Sequence, residues 1–116
     1  MIYTDFLIIG SGIAGLSYAL KVSEARPDLN VSIITKTEGN ESNTRYAQGG
    51  IATVINHSED SFEHHIQDTL IAGDGLCNEE VVKMVVSKAP DRLKELIGWG
   101  TDFDRCADGK YDLGKE

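Results

Sequence analysis

Apolar and polar residues alternate in blocks along this chain, and the blocks have the lengths of short strands and helices. Residues 3–9 form a short apolar run, Phe6-Leu7-Ile8-Ile9 closed by Gly10, which predicts a buried strand. Beyond it Ile13, Leu16 and Leu20 mark one face of a helix that Pro27 keeps from passing about Arg26. Asn30-Val31-Ser32-Ile33-Ile34-Thr35 is short and β-branched, and predicts a second strand. Strand, crossover helix and strand make a parallel βαβ unit, right-handed by the general rule. From Thr37 to Arg45 the polar residues predict a loop, and Gly49-Gly50 breaks structure again before the apolar Ile51-Ala52-Thr53-Val54-Ile55. Asp60-Ser61-Phe62-Glu63 reads as an acceptor at the N-cap with Glu at N3. Phe62, Ile66, Thr69 and Leu70 then follow at helical spacing to about Gly73 and Gly75. Asn78 with Glu79 and Glu80 starts another helix, with Val81, Val82, Val85 and Val86 as its buried stripe. Pro90 restarts a helix carrying Leu93, Leu96 and Ile97, with Gly98 as its C-cap. Asp108-Gly109, between Phe103-Asp104-Arg105 and Lys110-Tyr111-Asp112, predicts a hairpin turn.

The junction of the first strand and helix holds the main chemical signal. Gly10-Ser11-Gly12-Ile13-Ala14-Gly15 has the spacing G-x-G-x-x-G in a strand–turn–helix setting. The first glycine allows a tight turn, the second lets backbone approach a pyrophosphate, and the third lets helix and strand pack closely. The anion would sit on unpaired N–H groups at the positive end of the helix dipole. An NAD site expects an acid at the end of the second strand, where this chain has Thr35-Lys36. Lys36 reads either as a contact to ribose or pyrophosphate or as a solvated lysine closing a strand. Ser42-Asn43-Thr44-Arg45-Tyr46-Ala47-Gln48-Gly49-Gly50 offers hydroxyl and amide groups for phosphate and ring heteroatoms. Its paired glycines permit close approach to a flat ring, or form only a turn.

Composition narrows the class. The chain has 116 residues, 41% apolar and 26% charged, with a formal charge of −8. That acidity argues against nucleic acid or an anionic membrane as partner, since both require clustered Lys and Arg. No apolar stretch approaches a membrane span, and Met1-Ile2-Tyr3 enters the first strand without a basic leader, so a cytoplasmic protein is expected. A dinucleotide fold needs more strands than this length supplies, which predicts an incomplete domain. Cys77 and Cys106 lie far apart and read as buried or half-buried thiols. His64 and His65 diverge on a helix and cannot chelate one ion, and His57 lies in a polar loop, so no metal site is expected.

Following the glycine triplet and the second strand, the 42–52 run resembles the flavoprotein family of succinate dehydrogenase, fumarate reductase and L-aspartate oxidase. The covalently flavinylated members carry Ser-His-Thr where this chain has Ser42-Asn43-Thr44. That departure, the Tyr46-Ala47-Gln48-Gly49-Gly50-Ile51-Ala52 string, Asp68-Thr69-Leu70-Ile71-Ala72-Gly73 and Gly75-Leu76-Cys77-Asn78 are similar to the aspartate oxidase branch. The resemblance covers essentially the whole chain. It implies an α/β, Rossmann-like FAD-binding domain, present here as its N-terminal portion over residues 1–116, without the capping and C-terminal helical domains. It also implies non-covalent FAD, with Gly10, Ser11, Gly12, Ile13, Ala14 and Gly15 at the pyrophosphate and Lys36 on the adenosine side. Asn43, Thr44, Arg45, Tyr46, Ala47, Gln48, Gly49 and Gly50 would follow the cofactor from pyrophosphate to isoalloxazine. By the same resemblance Glu116 would correspond to an acid lining the substrate site, the alternative being a frayed terminal residue, and the catalytic residues would fall beyond it. The implied activity is oxidation of L-aspartate to iminoaspartate, the first step of de novo NAD biosynthesis, with oxygen or fumarate as electron acceptor. A fumarate reductase or succinate dehydrogenase-like flavoprotein is the alternative within the family. A non-catalytic, self-associating partial domain is the alternative from another class.

Overall fold

The computed structural model describes residues 1–39, 41–47, 49–56 and 60–114. It divides into two compact units, Met1–Gly50 and Ile51–Glu116.

The first unit is a βαβ unit followed by one short helix. Strand β1 (Phe6–Ile9) leads into helix α1 (Ile13–Ala25) and then strand β2 (Val31–Ile34). The strands pair in parallel, Phe6 against Val31 through Ile9 against Ile34. Both are shorter than the runs 3–9 and 30–35, because side chains and turns take over at the ends. The Asp5 carboxylate accepts from the Asn30 N–H at 2.8 Å, and the Thr4 hydroxyl donates to the Asn30 carbonyl at 2.9 Å. At the other end the Gly10 N–H donates to Ile34 O at 2.8 Å, after which Gly10 turns the chain at φ +105°. Arg26 caps α1 and Pro27 follows, so the helix stops where the sequence predicts.

The face of α1 that meets the strands is not the predicted one. Ile13, Leu16 and Leu20 are exposed, whereas Gly15, Ala19 and Val22 are half-buried. Small residues win this face because they let helix and strand approach closely. A Cβ on Gly15 would collide with the Gly10 carbonyl and lie 3.2 Å from Ile8 Cγ2. Ile8 is the buried residue of β1, and Leu7 and Ile9 on the opposite face are exposed. The segment predicted as loop from Thr37 to Arg45 runs into helix α2 (Asn43–Tyr46) from Asn43 onward. Its start is set by Ser42, whose hydroxyl accepts from the Arg45 N–H at 3.3 Å.

The second unit is a pair of helices, α3 (Phe62–Ala72) and α4 (Glu79–Gly98), packed on one another. Ser61 rather than Asp60 is the N-cap of α3, its hydroxyl accepting from the His64 N–H at 3.1 Å. The predicted face Phe62, Ile66, Thr69, Leu70 is the half-buried one. After α3 the Cys77 thiol occupies the space that a Cβ on Gly73 would need, 3.7 Å from the Thr69 carbonyl. Cys77 is half-buried, as expected, but Cys106 is exposed. Asn78 caps α4 through its side-chain oxygen, 3.2 Å from the Val81 N–H. Glu79 pairs with Lys83 one turn on, which holds the Glu79 carboxyl below its usual range.

Two expectations for α4 fail. Pro90 does not restart a helix: one helix runs through it. The fixed φ of proline is helical, so the ring costs one hydrogen bond to Val86 without forcing a break. Nor is the whole valine stripe buried, since only Val86 is, while Val81 and Val85 are exposed. A groove of about 260 Å³ opens beside them, lined by Ala52, His65, Thr69 and the valines. The helix ends in a Schellman arrangement, Thr101 N–H to Leu96 O and Gly100 N–H to Ile97 O, each 3.0 Å. Gly100, at φ +98°, therefore holds the left-handed position, and Gly98 is the last helical residue. The predicted hairpin is a tight turn with a single antiparallel bridge, Arg105 to Tyr111, and Gly109 at φ +82°.

Candidate dinucleotide-binding site

The site follows from where the two parallel strands end. Both run toward Gly10 and Thr35, and the chain leaves them in turns that open a cleft of about 730 Å³. One wall is Gly10, Ser11 and Gly12, entering α1; another is Thr35, Lys36 and Thr37, leaving β2. The third is Glu41, Ser42, Asn43 and Thr44, at the start of α2. Such crevices at the carboxyl ends of parallel strands are where α/β folds bind ligands.

The donors in this cleft suit a pyrophosphate. No acidic residue lies in the first turn of α1, and the cap residue Gly12 projects no side chain. Among the described residues the N–H groups of Gly12, Ala14 and Gly15 have no acceptor, while Ile13 N–H donates to Thr44 Oγ1 at 3.1 Å. Unpartnered N–H groups at a helix start, next to a residue without Cβ, form an anion cradle. Ser11 is 6% exposed, and its hydroxyl lies 3.4 Å from that of Thr35, joining two walls. Lys36 supplies the cation of the cleft. Glu41 is the acid nearby, and its carboxylate is engaged by Arg45 at 3.1 Å and the Tyr46 hydroxyl at 2.7 Å. That bond to Glu41 raises the Tyr46 hydroxyl above the usual phenol range.

The sequence-predicted residues thus divide into groups. Gly10, Ser11, Gly12, Lys36, Asn43 and Thr44 line one cleft. Ile13, Ala14 and Gly15 form the first turn of the helix behind it. Arg45, Tyr46, Ala47, Gly49 and Gly50 do not line it: Arg45 and Tyr46 turn to Glu41, Ala47 caps α2, and Gly49 turns the chain at φ +101°. Gln48 and Glu116 lie outside the described residues, as does His57. Thr35, Thr37 and Glu41 line the cleft without having been singled out as cofactor-binding, and Ser42, the first residue of the polar run, lines it as well. The signal for Ser42 is its place at the head of that polar run; nothing in a lone Glu41 points to the cleft.

Known proteins resemble this chain in sequence and in fold. The chain is 53% identical over 114 residues to the chloroplastic L-aspartate oxidase of Oryza sativa subsp. japonica, covering 98% of this chain and 17% of that protein. It is 45% identical over 108 residues to the L-aspartate oxidase of Vibrio cholerae, covering 93% of this chain and 19% of the relative. Among solved structures, an E. coli quinol fumarate reductase superposes with a TM-score of 0.85 at 36% identity, over 96% of this chain and 19% of that one. A Mycobacterium smegmatis Sdh1 complex gives 0.83 at 33% identity, over 97% of this chain and 19% of that one. The chain therefore spans about one fifth of the length of these relatives. The profile of the family described as FAD binding domain matches residues 5–116. With its glycine cradle, its parallel strands and that match, the chain belongs to the FAD-binding domain family, and FAD is its cofactor.

Proposed function

We propose that this chain is the N-terminal portion of the FAD-binding domain of a longer enzyme that oxidises L-aspartate to iminoaspartate. Capping and C-terminal helical domains belong elsewhere in that protein. The supporting observation is the set of relatives named L-aspartate oxidase, from plants and bacteria, at 38–53% identity across nearly all of these residues. When bound, the flavin accepts the two electrons removed from the substrate, and oxygen or fumarate takes them from it. Gly12, Ala14 and Gly15 present backbone donors to the pyrophosphate, with Lys36 on the adenosine side. Thr44 holds the opposite wall, and Asn43 leads toward the flavin ring together with Gln48, Gly49 and Gly50. In this reading Glu116 approaches the substrate. The product would enter NAD biosynthesis.

The solved neighbours include a quinol fumarate reductase and an Sdh1 complex, which favours a fumarate reductase or succinate dehydrogenase-like activity as a second reading. Asn43 weighs against it, because an amide cannot form the histidyl bond to flavin that the resemblance associates with those enzymes. Acid precipitation of the FAD-loaded full-length protein separates the two. All of the flavin should appear in the supernatant, and purified protein should consume L-aspartate with release of ammonia after imine hydrolysis. Flavin retained on the pellet, or turnover of succinate and not aspartate, would reverse the assignment. We place the enzyme in the cytoplasm, although the plant relatives are named chloroplastic. Among the described residues no helix is long and apolar enough to cross a membrane.

A further inference from the structure

The N-cap of α1 is Gly12, which has no side chain and makes no side-chain capping bond. A helix ordinarily gains stability when its N-cap side chain accepts one of the first free N–H groups. Here the acceptor comes from 31 residues downstream: Thr44 Oγ1 takes the Ile13 N–H at 3.1 Å. The same oxygen lies 3.6 Å from where a Cβ on Gly12 would stand. A cap supplied from the facing wall leaves Gly12 bare, which close approach by a pyrophosphate requires. Among the described residues the hydrogen of the Thr44 hydroxyl has no acceptor, and Thr44 lines the cleft. A hydroxyl accepts and donates at once, so capping α1 does not prevent it from also donating to an anion.

We infer that Thr44 is a positioning residue that caps α1 in place of Gly12 and thereby sets FAD affinity. Helix α2 has four residues, too few to hold its place by its own hydrogen bonds. Ser42 fixes its start, and the bond from Ile13 to Thr44 ties it to α1. Without the hydroxyl the wall carrying Asn43 and Thr44 loses that tie, and Ile13 N–H loses its acceptor. The cleft must then be ordered at the moment of binding, and affinity falls. The inference rests on FAD as the cofactor and is independent of which substrate is oxidised.

The test uses FAD-stripped full-length protein with Thr44→Val, which keeps the shape and removes the acceptor, and Thr44→Ser, which keeps the hydroxyl. Thr44 is exposed, so neither change burdens the core. Hydrogen exchange at the Ile13 amide reads the cap, and quenching of FAD fluorescence reads affinity. Loss of a cap is expected to make Ile13 exchange and FAD dissociation constant each rise about tenfold in Thr44→Val, with Thr44→Ser restoring both. Unchanged exchange at Ile13 would show that Thr44 does not cap the helix. Faster exchange with equal or tighter FAD binding would show that the hydroxyl only obstructs the cleft, and would overturn the inference. If the unaltered protein failed to bind FAD at all, the cofactor assignment and the affinity role would fall together, leaving only the cap.

Discussion

Gly12 and Gly15 both lack a Cβ for a reason, and the reasons differ. At Gly15 an added Cβ meets the Gly10 carbonyl and Ile8 Cγ2, atoms of β1 and of the turn that follows it. At Gly12 it meets only Thr44 Oγ1, at ordinary contact distance. Gly15→Ala is therefore expected to destabilise the fold by about 1–3 kcal/mol, as overpacking does, seen as a lower melting temperature of the FAD-free protein. Gly12→Val should lower that temperature less yet abolish FAD binding, because its methyl groups project where the pyrophosphate must come. Equal loss of stability in the two variants, or a yellow Gly12→Val protein that titrates FAD normally, would refute this division of roles. The triplet spacing was legible in the sequence. Which glycine serves packing and which serves the ligand depends on the atoms brought opposite each one.

At the scale of elements, α4 shows how far local rules reach. Its start was legible because Asn78, Glu79 and Glu80 act on N–H groups within one turn. Its continuity was not, because Pro90 removes one hydrogen bond and packing on α3 decides whether the helix survives that loss. Pro90→Ala restores the N–H toward the Val86 carbonyl. The helix-propensity gain of about 3 kcal/mol, less about 1 kcal/mol for the freer unfolded chain, predicts stabilisation by about 2 kcal/mol in urea unfolding. A destabilised variant would mean that packing of the half-buried proline ring outweighs the recovered bond. Helix α1 teaches the same lesson. Its period was right, but the side that meets the strands is the small one, and no periodicity distinguishes a close-packed Gly15–Ala19 face from an apolar Leu16–Leu20 face.

At the scale of the molecule, the described residues leave much apolar surface uncovered. Parallel sheets are normally covered on both faces. Ile9 is 82% exposed and Leu7 56% exposed, and Ile13, Leu16 and Leu20 on α1 also face solvent. Apolar patches and a bare strand edge favour association. The 116-residue chain, expressed by itself, is therefore expected to self-associate despite its charge of −8, and to bind FAD weakly or not at all. Sedimentation with and without FAD checks this. A compact monomer carrying one FAD would show that these residues form a self-sufficient domain, and would refute the expectation.

What the sequence determined by itself was whatever depends on neighbours along the chain. The βαβ order, the glycine-rich turn, the stop at Pro27 and the cap at Asn78 all arise from backbone geometry and bonds spanning a few residues. Asn43, where a flavin-linking histidine would stand, was legible for the same reason: chemistry absent from a side chain cannot be supplied by folding. Only the tertiary structure could decide what depends on residues distant in sequence. It joined Thr44 to Ile13 and Ser11 to Thr35, and set the small face of α1 on the strands. Each of these is a contest among several possible partners, and it is settled by which groups the packed chain brings within reach.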